Sequence, residues 1–270
     1  MRQSGAMTAP RAWDRAADLT VFSGRRPRPE LVALPADELP SLAELFTFMR
    51  DAELRFDTLR MRIEERSFGT TGQQLSLIDV AIRHPDDAKV TTTLPALGAA
   101  ANYEIWISDG ETVRTYSAPH RLGTERPVRR SVVGVSGTGS RDLPGPSRVY
   151  ESLTALPMET LPETFVHPAG YCQNVLATGR CAIVGLDEVA SREAIVLECD
   201  HPRTIEIAAD RPDFRIGLAV DRADGVILRL EESIGGRVTR DARAVEYAPD
   251  TQLAPSTFDF VFPTGTTMLF

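Results

Sequence analysis

The chain has 270 residues, 42% of them hydrophobic, which is enough to bury a sizeable core and too much for a disordered chain. Its formal charge of −8 excludes a non-specific nucleic-acid binder, because phosphate contact needs clustered cations. No stretch approaches 18 consecutive apolar residues, so no membrane-spanning helix is expected.

Residues 1–37 hold many Arg and Pro, no sustained periodicity and the cluster GRRPRPE. They read as an extension, disordered or draped on the surface, ahead of a single domain over 38–270. The start lacks the continuous apolar core of a signal peptide, so a cytoplasmic location is expected as written, and an extracytoplasmic one if the true start lies upstream. A helix then begins sharply: Pro40, Ser41 and Glu44 form a capping box, and Leu42, Leu45, Phe46 and Met49 share one face.

The period now drops to two. In LRMRIEER, Leu59, Met61 and Ile63 alternate with Arg60, Arg62 and Glu64, as in a strand with one wet face. QQLSLIDVAIRH continues as a strand, His84-Pro85-Asp86-Asp87 turns, and AKVTTTL returns. NYEIWISDGETVRTYS reads as a hairpin about Asp109-Gly110, whose two-residue loop suits a type I′ turn and sets Trp106 opposite Val113 and Ile105 opposite Arg114. Both faces of that hairpin are apolar, with Trp106 and Val113 on one and Tyr103, Ile105, Ile107 and Tyr116 on the other. Something is therefore expected to cover each face.

Residues 118–180 form a loop and helical insertion. Its first part, 118–146, is rich in Gly, Ser and Pro and carries no complete phosphate-binding motif. Short helices are expected in SRVYESLTAL, after a second capping box at Thr160 and Glu163, and in HPAGYCQNVLATG, which ends at Gly179. From Cys181 the chain is β again: CAIVG, AIVLEC, TIEIAA, FRIGLAV, GVILRLEES, VTRDARAVEYA and STFDFVF. The last places Phe258, Phe260 and Phe262 on one side before Pro263 stops it. About ten or eleven strands joined by hairpins predict a mainly β (α+β) fold. The expected architecture is an open, strongly curved antiparallel half-barrel with helices covering its concave face.

Catalytic motifs are missing. His84, His120, His167 and His201 accompany many Ser and Asp, but none lies in a nucleophile elbow, and Lys89, the single lysine, completes no S-x-x-K. Cys172, Cys181 and Cys199 have no metal-ligand spacing. Cys199-Asp200-His201 reads as a buried cysteine beside a polar turn more readily than as a site, and a Cys172–Cys181 disulfide suits only an oxidising compartment. No catalytic residue, metal or cofactor is assigned.

Several weak motifs occur in a telling order: Asp109-Gly110 with Tyr116, Arg192 with Ala194, Val220-Asp221 with Gly225 and Arg229, and Phe260 with Pro263 and Gly265. Over roughly residues 40–268 the chain resembles the LolA/LolB lipoprotein-carrier superfamily and the N-terminal domain of the sigma-E regulator RseB. Ser191 stands where that family often has Gly. The resemblance implies a half-barrel whose concave cavity takes acyl chains without covalent chemistry. The expected function is thus a non-enzymatic binding protein for a hydrophobic, acyl-like ligand, with Leu59, Met61, Ile63, Trp106, Val113, Leu228, Leu230, Phe258, Phe260 and Phe262 as candidate cavity lining. The alternative is an RseB-like interaction module with no lipid ligand, meeting a protein partner through residues 1–37 or 118–146.

Overall fold

The computed structural model describes residues 31–36, 38–69, 72–98, 102–128, 132–133, 150–200 and 213–269. The chain divides into Met1–Leu31 and Val32–Phe270, and the account below concerns the second unit. Its elements in order are α1 (Leu42–Arg50), β1 (Thr58–Gly69), β2 (Gly72–Arg83), β3 (Asp87–Thr93), β4 (Tyr103–Asp109), β5 (Thr112–Ser117), β6 (Leu122–Pro127), β7 (Val132–Val133) and β8 (Tyr150–Glu151). There follow α2 (Leu161–Val166), α3 (Ala169–Asn174), β9 (Arg180–Val189), β10 (Arg192–Asp200), β11 (Phe214–Asp221), β12 (Ile227–Ile234), β13 (Arg237–Pro249) and β14 (Thr267–Leu269).

Twelve strands form one sheet in the order β14-β6-β5-β4-β3-β2-β1-β13-β12-β11-β10-β9, and β7 pairs with β8 apart from it. Among the described residues every pairing is antiparallel except β14 with β6. The end strands β14 and β9 do not meet, so the sheet is open. It is nonetheless curled, since β9 touches β13 although three strands separate them in the sheet order. Register shifts at Arg62/Ile63, Val196/Leu197, Ala219/Val220 and Glu232/Ser233 supply bulges that sharpen the local twist. The inner face is roofed by α1, α2 and α3. Leu45, Phe48 and Met49 of α1 and Phe165 and Val166 of α2 join Leu59, Met61 and Ile63 of β1 and Leu218 and Leu230 in one core.

The capping box at Ser41 forms as the sequence predicts: Glu44 N–H donates to Ser41 Oγ at 3.3 Å and Ser41 N–H donates to Glu44 Oε2 at 2.8 Å. The box at Thr160 does not. Glu163 accepts instead from Glu159 N–H at 2.6 Å, and the Thr160 hydroxyl turns back to the Pro157 carbonyl. Nor is there a helix at 152–156, because Leu153 N–H is taken by the Glu53 carboxylate at 3.0 Å and Pro157 disfavours helical backbone just before it. The expected strand TIEIAA and residues 1–30 lie outside the described residues.

The Asp109-Gly110 hairpin is wider than a two-residue loop. Ser108 pairs with Val113 and Trp106 with Thr115, a shift of two from the expected register. Asp109 Oδ1 accepts from both Glu111 N–H (3.1 Å) and Thr112 N–H (2.7 Å), an Asx turn that draws two further residues into the loop. A shift of two preserves the faces, so Trp106 and Val113 still share one side.

What covers the other side is the closing FDFVF segment. It is no strand: Pro255–Phe258 is a 3-10 turn and residues 259–262 pair with nothing in the sheet. The edge of β6 that it would need is occupied by β14. The segment straps the outer face, with the Phe260 ring 6.1 Å from Tyr116, Phe262 5.1 Å from Phe260, Arg83 4.8 Å over Phe258 and Lys89 Nζ donating to Thr257 O at 3.1 Å. Gly123 makes room for it, since a Cβ there would lie 2.6 Å from Phe262 Cε1 and 2.9 Å from Thr266 Cγ2. Gly123→Val is expected to lower the unfolding free energy by about 1–3 kcal/mol in urea titration, the usual cost of overpacking.

The turn from β9 to β10 is a two-residue loop, Ala190-Ser191, with φ of 52° and 58°. Both values lie in the left-handed region that a type I′ turn requires and that side chains resist. Ser191→Gly is expected to raise the unfolding free energy by about 0.5–1 kcal/mol, read as a higher urea midpoint.

Candidate functional site

The inner face is best followed in rows across the strands, because residues paired in register stand side by side. One row, Leu59-Ile82-Ala88-Ser108-Val113, is sealed. The next runs Met61-Val80-Val90-Trp106-Thr115-Thr124-Leu269, and the third Ile63-Ile78-Thr92-Glu104-Ser117-Leu122. Over β9–β13 and β1 the rows are filled by side chains from the roof helices. Over β2–β6 parts of the second and third rows border a cleft of about 580 Å³ between the sheet and residues 157–162, where Ile78 and Val90 are still buried and Trp106 and Leu122 are half-buried. Ile78, Val90, Trp106 and Leu122 make an apolar floor, Leu161, Pro157 and Pro162 a facing wall, and Thr92, Thr115, Thr124 and Ser117 a band of hydroxyls. Thr115 and Thr124 hydrogen-bond each other at 2.6 Å, so that band is partly self-satisfied.

Of the candidate lining residues, Trp106 borders this cleft. Leu59, Met61, Ile63, Leu228 and Leu230 sit on the same inner face but are packed into the core with no more than 1% exposure. Val113 closes the sealed row. Phe258, Phe260 and Phe262 lie on the outer strap. Alternation identified which side chains point inward; it carried no signal for where the roof helices stop. Leu122, Thr124 and Leu269 were hidden because β6 lies in a polar stretch that reads as loop and β14 is three residues long.

The motif residues form a second feature, away from the cleft. Asp221, fully buried, receives Arg192 Nε at 2.8 Å and Nη2 at 3.0 Å, and its Oδ1 also accepts Ala223 N–H and Asp224 N–H at 2.9 and 2.7 Å. Arg192 reaches Asp224 as well, at 2.8 Å, and Tyr247 donates its hydroxyl to Asp224 at 3.0 Å. Burial and the neighbouring Asp221 raise the Asp224 carboxyl above its ordinary value. Gly225, at φ 80°, lets this turn press on α1, where a Cβ would meet the Phe48 ring at 3.0 Å. The network ties β10 to the β11–β12 hairpin and holds that hairpin under the roof helix.

A third cluster is polar and buried. Glu53, in the 3-10 turn after α1, stands with Oε2 3.1 Å from His167 Nε2, the two side chains 1% and 6% exposed. His84 Nδ1 lies 2.7 Å from Thr154 Oγ1, and its ring stacks on Phe56. Among the described residues, Glu53 Oε1, His84 Nε2, Ser152 Oγ and His167 Nδ1 are buried without a hydrogen-bond partner. None of these side chains borders the cleft. The cluster clamps four separate segments: the 3-10 turn of Glu53, the β2–β3 turn of His84, residues 152–154 and His167 after α2. Among the described residues no three His, Cys, Asp or Glu side chains are arranged to hold a metal.

The cysteines are free thiols, and Cys181 faces Cys199 across β9 and β10 rather than Cys172. Burial pushes the Cys172 thiol up to about 12, which keeps it protonated and unreactive. Among the described residues no helix is long and apolar enough to cross a membrane.

No known protein family and no curated protein matches the sequence. Solved structures do resemble it. An uncharacterised conserved protein from Thermus thermophilus aligns at TM-score 0.46 and 12% identity over 85% of this chain and 99% of its own. The MucA/MucB complex of Pseudomonas aeruginosa aligns at 0.44 and 13% over 81% of this chain, which spans only 60% of that one. A LolA superfamily protein from Nitrosomonas europaea aligns at 0.30 and 10%, over 82% of this chain and 99% of its own. The likeness is one of fold.

Proposed function

We propose that the protein binds, without chemical conversion, a ligand with an apolar body in the cleft between the β2–β6 part of the sheet and residues 157–162. One observation carries the reading: beside the cleft the inner face is only half-buried at Trp106 and Leu122, where the remainder of that face is packed by helices. A volume of about 580 Å³ falls in the range of small-molecule sites. Each CH₂ withdrawn from water contributes about 0.8 kcal/mol, so a short alkyl chain attains useful affinity before any polar contact is counted. The hydroxyl band gives the ligand's less apolar portion a place to lie.

The test uses N-phenyl-1-naphthylamine, an uncharged dye that brightens in apolar surroundings. Saturable uptake at about one dye per chain is expected. Thr115→Trp, which pushes an indole into the cleft, is expected to weaken binding at least about tenfold, or ~1.4 kcal/mol, with the circular dichroism of the folded protein retained. No saturable uptake by the unaltered protein refutes the reading.

A further inference from the structure

The cleft has a polarity gradient along the strand direction. Its sealed end is the row that holds Leu59, Ile82 and Val113. Toward the other end, exposure rises along β1 as far as Gly69 and persists over the first residues of β2, Gly72, Gln73 and Gln74, so the mouth lies there. The charged side chains of the lining belong to that end: Glu65 lies beyond Ile63 on β1, and Glu104 lies in the third row on β4. Glu159 stands exposed on the facing segment. The lining's cation, Arg240, is already engaged, its Nε 2.7 Å from Glu65 and its Nη1 3.9 Å from Glu232. Glu104 accepts a 3.3 Å hydrogen bond from the Ser117 hydroxyl, which leaves its charge unbalanced. Among the described residues Arg126, the other cation on this face of the neighbouring strands, pairs with Val113 at the sealed end.

We infer that the cleft selects an amphiphile with a cationic head, its tail on Trp106 and Val90 and its head among Glu65, Glu104 and Glu159, and that it discriminates against a free carboxylate head. This deepens the binding reading above and rests on it. A tail seated on the floor carries its head to the mouth, where one sign of charge prevails. At ionic separations near the protein surface, attraction for a cation and repulsion of an anion add, and both are screened by salt.

Three twelve-carbon probes with different heads separate the possibilities: dodecyltrimethylammonium, dodecanoate and uncharged dodecyl maltoside. Each is titrated below its micellar concentration at about pH 8, where dodecanoate is ionised. At about 20 mM salt the trimethylammonium probe is expected to bind at least about tenfold more tightly than dodecanoate, and the ratio is expected to shrink at about 500 mM salt. In the exposed double variant Glu104→Gln with Glu159→Gln, the ratio is expected to fall below about threefold. Equal or tighter binding of dodecanoate overturns the inference, as does a ratio that the double variant leaves unchanged. If dodecyl maltoside binds while the two charged probes tie, charge selection alone fails. If none of the three binds, the cleft is no ligand site and both readings fall.

Discussion

Asp221→Ala is expected to lower the unfolding free energy by about 3–5 kcal/mol, the range for breaking a buried ion pair by removing one partner. The residue is fully buried, and four hydrogen bonds converge on its carboxylate, two from Arg192 and two from the backbone of the following turn. Alanine leaves Ala223 N–H and Asp224 N–H without their acceptor, and the guanidinium keeps Asp224 and the Tyr247 ring but loses its two-pronged partner. Because a domain's whole stability is of the order of 5–15 kcal/mol, this one change removes a large share of it. Asp221→Asn separates the two contributions. An amide oxygen still accepts from the turn but surrenders the charge, so a smaller loss of about 1.5–3 kcal/mol is expected. Urea titration of both variants reads the difference directly. Equal losses would mean that the turn's hydrogen bonds contribute nothing and that the ion pair carries the whole effect.

That network also shows what the sequence made legible. Val220-Asp221 with Gly225 could be read as a hairpin because the turn is local: its hydrogen bonds join residues at most five positions apart. The helix cap at Ser41 and Glu44 was legible for the same reason, and so was the inward alternation of Leu59, Met61 and Ile63. Non-local competition was not legible. Whether Leu59 lines a cavity or a packed core depends on where α1 and α2 come to rest, and no period in β1 encodes that. The three phenylalanines near the end obey strand alternation, yet their backbone had no free sheet edge to join, so they became a strap on the outer face. Their presence there answers the apolar second face of β4 and β5: Tyr103, Tyr116, Phe260 and Phe262 form a chain of ring contacts with centroids 5.1–6.1 Å apart. The helix expected in SRVYESLTAL was lost over residues 152–156 to a glutamate a hundred residues upstream.

That glutamate governs the second large effect. Glu53→Ala removes the acceptor of Leu153 N–H and leaves His167 facing an apolar gap, and a loss of about 3–5 kcal/mol is expected at pH 7. The same cluster makes stability fall in acid through two groups. Burial, opposed only in part by the Glu53 charge, pushes His84 down to about 4 from an ordinary value of 6.5. The unfolded chain therefore takes up a proton that the folded protein refuses, and stability drains away as pH falls from about 6.5 to about 4, by about 3 kcal/mol in all. Glu53 is shifted downward too: burial works against its charge, but His167, His84 and Leu153 N–H outweigh that. Its contribution is present above the ordinary carboxylate value and is lost as pH drops further through the folded one. Urea midpoints measured between pH 7.5 and pH 4 are thus expected to decline throughout the upper window, and His84→Asn, which keeps a partner for the Thr154 hydroxyl, is expected to flatten that decline. A midpoint that stays constant from pH 7 to pH 4.5 in the unaltered protein would show that His84 exchanges protons freely while folded, and that the clamp between the 3-10 turn, the β2–β3 turn and residues 152–154 is looser than its geometry implies.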